Sequence, residues 1–372
     1  MKGKHKNRPW YDTYMTNFQE EYTRLNAAQK QAVDTIDGPL LVLAGPGTGK
    51  TQLLSARVAN ILTKTDTNPS NITCLTFTVN AANNMRDRLR SMIGSDANQV
   101  IIKTFHSLAA DIIAANPQHF YAGAVLNPIS DLAAQEILLS LFDKLPHSNP
   151  LAAKYDDRYT HLRNALDGIT RAKDAGLTPA ALKQAIDNHR TEIDLLEPEI
   201  VRICSKTLSH KSLDVLLGEF ASLRQTHASN LTEAIYRLAE AAIEADQPTG
   251  KTTQTGNLKR QLLSSENGEK RMVRQRNANT WWQALGHLYE QYQDILYKRG
   301  YLDYSDMLIS VINVLKANDD LRLDLQEATH YLLIDEFQDS NESQIALMHL
   351  LVDNPHIEAP NIMVVGDPNQ TI

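Results

Sequence analysis

Leu41-Val-Leu-Ala-Gly-Pro-Gly-Thr-Gly-Lys-Thr51 decides the reading of this chain: an apolar run, a glycine-rich turn, then the polar opening of a helix. Apolar residues at every position, without alternation, are what a parallel strand buried on both faces requires, and 39–44 is such a run. Gly45, Gly47 and Gly49 let backbone N–H groups curl around an anion, and a helix N-terminus adds positive potential to the same place. Lys50 then stands where it reaches terminal phosphates, and Thr51 where a hydroxyl ligates Mg²⁺. Ala44, Pro46 and Thr48 complete the loop, Ala44 occupying the place of the first glycine in the strict pattern.

Four more short apolar, β-branched runs, 72–77, 100–104, 330–335 and 361–366, read as further buried strands. Helical stripes separate the first three. Residues 50–62 collect Leu53, Leu54, Val58, Ile61 and Leu62 on one side, and Met85, Leu89, Met92 and Ile93 follow at helical spacing. Strands alternating with helices imply an α/β fold built on a parallel sheet. Across 116–281 the strand signal disappears and helical stretches take over, which implies an all-helical insertion. Within it, 246–279 is polar and carries Lys259, Arg260, Lys270, Arg271, Arg274 and Arg276; it reads as a flexible loop whose cations are solvated or touch duplex DNA. Trp281 and Trp282 open a strong apolar stripe and read as packing residues. A helix over 304–316, capped by Asp303, leads back to the sheet.

Composition limits the rest. The chain has 372 residues, 42% hydrophobic and 22% charged, with 37 Lys plus Arg against 44 Asp plus Glu, so any nucleic-acid surface must be local. No apolar run is long enough to span a membrane. The basic opening Lys2, Lys4, His5, Lys6, Arg8 lacks the apolar segment of a signal peptide and reads, over 1–20, as a mobile terminus. Cys74 and Cys204 have no metal-ligand spacing, which suits a reducing cytoplasm.

Leu332-Leu-Ile-Asp-Glu-Phe-Gln-Asp339 ends a strand on adjacent carboxylates. Asp335 suits the Mg²⁺ that Thr51 would share, and Glu336 the activation of a water against a terminal phosphate. Taken in order, Leu25-Asn-Ala-Ala-Gln29, Ala44-Gly-Pro-Gly-Thr-Gly-Lys-Thr51, Thr76-Phe-Thr-Val-Asn-Ala-Ala-Asn-Asn-Met-Arg-Asp-Arg88, Thr104-Phe-His-Ser107, Asp335-Glu-Phe-Gln-Asp-Ser-Asn341 and Val365-Gly-Asp-Pro-Asn-Gln370 resemble the successive motifs of the UvrD/Rep-like superfamily 1 DNA helicases.

That resemblance implies a RecA-like P-loop NTPase sheet over 21–115 and 282–372, interrupted by the helical insertion, and a protein that uses ATP and Mg²⁺ to move 3′-to-5′ along single-stranded DNA and open DNA junctions. It places Gln29 at the adenine edge, Lys50 at the phosphates, Thr51 and Asp335 at the metal, Glu336 at the water and Gln370 at the γ-phosphate. Arg88 has two readings, a nucleotide contact or a solvent-facing helix arginine. Thr78, Asn80, Thr104, Phe105 and His106 fall where the family grips single-stranded DNA, hydroxyl and amide groups holding the backbone and an aromatic stacking on a base; the other reading of these residues is structural, Phe105 as core and Thr78 as a helix cap. The sequence departs from the family at Val79, Asn80 and Asn84, which weakens any specific DNA hydrogen bond at Val79, and at Gln52, where an arginine able to stack on adenine is usual.

The chain ends inside the last of these motifs. The resemblance therefore implies that a second RecA-like domain, with the arginines that raise turnover by about 10³ to 10⁵ in related motors, lies outside it. This chain is expected to bind nucleotide weakly and not to unwind DNA. Two other readings stay open: a nucleotide or DNA binding module without turnover, and the helicase part of a RecB-like or AddA-like helicase-nuclease.

Overall fold

The computed structural model describes residues 11–120, 127–266, 268–367 and 369–370. The basic residues of 1–8 lie outside these. Residues 11–20, expected to be mobile, instead belong to helix α1 (Tyr11–Arg24), whose Phe18 is buried against the sheet domain.

The chain forms two compact units. The first comprises Met1–Asp131, Thr170–Gly176 and Leu296–Ile372. After α1 come α2 (Ala27–Asp34), β1 (Leu40–Leu43), α3 (Lys50–Lys64), β2 (Ile72–Thr76), α4 (Val79–Ile93), β3 (Ile101–Thr104), α5 (Phe105–Ala115) and the short β4 (Asn127–Pro128). The second unit, Leu132–Ile169 and Leu177–Ile295, holds most of α6 (Asp131–Phe142), the hairpin β5 (Lys154–Tyr155) and β6 (Arg158–Tyr159), the body of α7 (Leu162–Asp174), then α8 (Pro179–Cys204), α9 (Leu213–His227), α10 (Asn230–Asp246), α11 (Thr253–Leu262), the hairpin β7 (Ser264–Glu266) and β8 (Glu269–Arg271), and α12 (Val273–Lys298). The first unit resumes with β9 (Tyr301–Leu302), paired to β4, then α13 (Tyr304–Ala317), α14 (Asp319–Ala328), β10 (Tyr331–Ile334), α15 (Glu342–Val352) and β11 (Ile362–Gly366). Among the described residues no helix is long and apolar enough to cross a membrane.

Five parallel strands form the central sheet in the order β1-β11-β10-β2-β3. The alternation within β10 shows why it is covered on both sides. Tyr331 and Leu333 face one apolar core, shared with α2, α3 and α4, while Leu332 and Ile334 face the other, shared with α5, α13 and α15. β1 is the exception: it lies at the sheet edge, and Leu41 and Leu43 are exposed on its outer side. All five strands run the same way, so their carboxyl ends form one rim, the place where open α/β sheets bind ligands.

The insertion is helical but interrupted by the two hairpins, and its borders differ from the 116–281 expected. The stretch 246–279 is also not a loop. Asp246 is buried at the end of α10 and accepts hydrogen bonds from the backbone of Gln254 (3.0 Å) and Thr255 (2.8 Å), anchoring α11. Leu258, Leu262, Leu263 and Met272 then enter the unit's own core. A few well-spaced apolar residues outweigh a polar composition there. Two of the stretch's cations are engaged: Lys259 donates to the Lys206 carbonyl at 2.7 Å, and Arg276 bridges Asp194 (2.7 Å) and Glu197 (2.6 Å). Trp281 packs against Trp282 edge-to-face, as expected of packing residues.

Candidate nucleotide and nucleic-acid site

The loop after β1 is shaped by its glycines. Gly47 and Gly49 have φ of +71° and +83°, a region closed to most side chains, and Gly49 caps α3 in that conformation. Ala44 donates to the Gly366 carbonyl at 2.9 Å, so the ladder runs one residue past β1 and fixes where the loop begins. The Thr48 hydroxyl closes the loop on the Gly45 carbonyl at 2.7 Å. The free N–H groups of the first turn of α3 are thus left at the sheet rim.

Gln29 reaches this loop from α2. Asn26 and Gln29 form a reciprocal cap, each side chain accepting from the other's backbone N–H at 2.9 Å, and the Gln29 amide also donates to the Thr48 carbonyl at 2.9 Å. A carboxamide has two N–H groups and two oxygen lone pairs, so one of each remains for a base edge. Gln29, Leu41, Leu43, Gly45, Thr48 and Lys50 border a cavity of about 490 Å³, an adequate volume for a nucleoside. Gln52, which stands where the family has an arginine, is hydrogen-bonded to Glu21 at 2.7 Å.

β10 brings the carboxylates to the same rim. The Lys50 Nζ lies 2.5 Å from Glu336 Oε2, and the Thr51 hydroxyl lies 3.3 Å from Asp335 Oδ2. Asp335 is almost wholly buried, and that burial, reinforced by the charge of Glu336, raises its carboxyl above the usual range. A divalent cation would relieve the cost. Thr51 and Asp335 fit Mg²⁺, which takes one or two protein oxygens and completes its shell with water and phosphate. Among the described residues no cluster of three or more His, Cys, Asp or Glu forms a self-contained metal cage.

Glu336 is held in a left-handed backbone conformation, φ +52°, unusual for a residue with a Cβ. Gln338 fixes its side chain: the Gln338 amide donates to Glu336 Oε2 at 2.8 Å and its oxygen accepts from the Asp367 N–H at 2.9 Å. One glutamine therefore bridges the ends of β10 and β11. It also explains Gly366, because a Cβ there would lie 2.7 Å from Gln338 Oε1. Gly366→Ala is expected to cost about 1–2 kcal/mol by displacing Gln338, read by denaturant unfolding. In a Gln338→Ala background the cost should fall to what the 3.3 Å approach to the Gln338 backbone nitrogen leaves, and an undiminished cost would remove the side-chain clash as its cause.

Gln370 stands at the same rim, where it borders a cavity of about 430 Å³ with Ala44, Gly45, Pro46 and Asp367. Its backbone N–H is tied to the Asp367 carbonyl at 3.1 Å. Arg88 is not brought in. It is exposed on α4 and borders neither cavity.

Thr78 and Thr104 cap α4 and α5, accepting from Ala81 (3.1 Å) and Ser107 (3.2 Å) at the ends of β2 and β3. Asn80 is exposed beside Thr78. Phe105, read either as a stacking ring or as core, is 1% exposed and packs in the core with Phe77, the second of those readings. The open aromatic is Tyr304, 58% exposed and edge-on to His106 with ring centroids 5.9 Å apart. Burial lowers the pKa of His106, with Asp174 and Asp303 opposing, so its ring is neutral at neutral pH. Sequence reasoning found the Asp303 cap but passed over the residue after it. The signal was available, because a cap places its successor at the helix mouth.

The P-loop and the Asp335-Glu336 pair thus meet across 286 residues of chain, and the UvrD/REP helicase N-terminal domain matches residues 25–372. The chain belongs to the UvrD/REP helicase family. It is 25% identical over 349 residues to the ATP-dependent DNA helicase PcrA of Staphylococcus epidermidis, and 24% identical over 350 residues to that of Staphylococcus aureus. Each alignment covers 94% of this chain but 34% of the helicase, so the chain spans about a third of the length of these relatives. The α/β RecA-like sheet is the family's expected fold.

Proposed function

We propose that this UvrD-type domain is the ATP-binding and single-strand-binding half of an ATP-driven 3′-to-5′ DNA helicase. The observation that carries the reading is the joint placement of Lys50, Thr51, Asp335 and Glu336 at one sheet rim. Lys50 and the first turn of α3 would bind the phosphates, Thr51 and Asp335 would hold Mg²⁺, Gln29 would face the base, and Gln370 would sense the γ-phosphate. Bound Mg²⁺ supplies charge neutralisation on the phosphates. Glu336 accepts the proton of the attacking water, and Gln338 keeps its carboxylate aimed.

Thr78, Asn80, Thr104, His106 and Tyr304 are the surface we assign to single-stranded DNA. Tyr304 and His106 offer a sequence-tolerant stacking step and the others hold the backbone. A second RecA-like domain and a DNA junction are the remaining partners of the proposed motor, working in the cytoplasm, where Cys74 and Cys204 stay as the buried free thiols seen here.

The test is binding of a fluorescent ATP analogue to the 372-residue chain with and without Mg²⁺, alongside binding of a labelled oligothymidylate. Mg²⁺-dependent nucleotide binding that Lys50→Ala abolishes is expected. Binding indifferent to both Mg²⁺ and Lys50 would sink the proposal. Binding of both ligands with no hydrolysis, even after fusion to a second motor domain, would assign a binding module without turnover instead.

A further inference from the structure

Lys173 is 1% exposed, although it lies near the end of α7 and seven residues of that turn, Thr170–Gly176, belong to the first unit. A buried ammonium is costly unless paired and hydrogen-bonded. Its partners are the carboxylates of Asp303 and Asp306, the latter at 2.8 Å. The same two carboxylates form the capping box of α13: Asp303 Oδ1 accepts from the Asp306 N–H at 2.8 Å, and Asp306 Oδ2 from the Asp303 N–H at 3.3 Å. All four carboxylate oxygens are therefore assigned, one from each residue to the helix cap and one from each to Lys173.

The turn itself is fixed. Ser343, buried in the first turn of α15, donates to the carbonyls of Lys173 (3.1 Å) and Asp174 (2.9 Å), and Ser305 donates to Asp174 at 2.9 Å. Tyr304 sits between the two capping aspartates, at the first position of α13, facing His106. Without the ammonium, two carboxylates, one of them buried, would stand side by side with no cation at the helix mouth that holds Tyr304.

We propose that Lys173 is a positioning residue for single-stranded nucleic acid: through Asp303 and Asp306 it locks the first turn of α13 and so presents Tyr304 and His106 to a base, touching no DNA itself. This rests on the assignment of Tyr304 to the strand-binding surface.

Two readouts test it on the 372-residue chain. In Lys173→Met without DNA, amides of residues 304–308 should exchange with deuterium about tenfold faster, while Mg²⁺-nucleotide affinity stays within about twofold, since no contact of the nucleotide site is removed. Affinity for a labelled oligothymidylate should fall about 5- to 150-fold, the worth of one stacked base, and affinity for an abasic strand of equal length should not change. Equal losses on both strands would make Lys173 a phosphate or general folding contact and overturn the proposal, as would unchanged exchange. If Lys173→Met unfolds, Lys173→Met with Asp306→Asn removes the buried pair as a whole and should fold with the same base-dependent loss; wild-type affinity there overturns the role. Tyr304→Ala separates the two levels: wild-type binding by that variant defeats the stacking assignment itself, whereas its loss beside an unaffected Lys173→Met defeats only the positioning role.

Discussion

Arg57→Met is expected to destabilise the first unit by about 3–5 kcal/mol, the range for stripping partners from a buried network. Arg57 is 1% exposed in α3, and its guanidinium donates to the carbonyls of Ala32 (2.6 Å), Thr35 and Ile36 (3.1 Å). These carbonyls lie at the C-terminal end of α2, where unsatisfied oxygens and the helix dipole both favour a cation. Burial pulls the guanidinium pKa down to about 10, which still leaves it charged at neutral pH. Methionine fills similar space but leaves the buried Ala32 carbonyl, and the partly buried Thr35 and Ile36 carbonyls, without that donor, so the cost is desolvation rather than lost volume. For a unit of this size the melting temperature should fall by roughly 10 °C. Lys64 supplies the internal control. It also serves the end of α2, pairing with Asp34 at 3.0 Å, but both side chains are about half exposed, and Lys64→Met should cost under about 1 kcal/mol. Because α2 carries Gln29 at its other end, Arg57→Met should also weaken nucleotide binding. Equal melting shifts for the two variants would contradict the burial argument.

The sheet was legible because its strands are buried on both faces, which forces continuous apolar runs. Expected strands at 72–77 and 330–335 differ from the observed Ile72–Thr76 and Tyr331–Ile334 only at their ends. The P-loop was legible for a different reason: its glycines are required by backbone angles, and the conformations of Gly47 and Gly49 bear this out. What stayed hidden depends on distant partners. Nothing local marks Lys173 as part of the first unit, since Asp303 is 130 residues away. Phe105 and Tyr304 are both aromatics at helix mouths, and only the tertiary packing buries one and exposes the other. The 246–279 stretch misled because composition averages over the few residues, Leu258, Leu262 and Met272, that build its core.

Glu336→Gln is expected to separate nucleotide binding from turnover in opposite directions. As general base, Glu336 should contribute about 10²- to 10⁴-fold to hydrolysis, and glutamine cannot accept the proton although it keeps the shape and the Gln338 contact. Binding should move the other way. Lys50 pairs with Glu336 at 2.5 Å, so a phosphate must compete with that carboxylate for the ammonium. Removing the charge removes the competitor and also one cause of the raised Asp335 pKa, which leaves Asp335 more readily ionised for Mg²⁺. Single-turnover hydrolysis with enzyme in excess, set beside equilibrium titration of Mg²⁺-nucleotide, reads both quantities in one preparation. A loss of rate accompanied by equal or tighter binding is the expected pair of results. If Glu336→Gln weakened binding as much as it slowed hydrolysis, Glu336 would be acting on the ground state, and its place as the base would pass to another group. Lys50→Met gives the complementary pattern: affinity and rate fall together, because the ammonium holds charge that is already present on the bound phosphates.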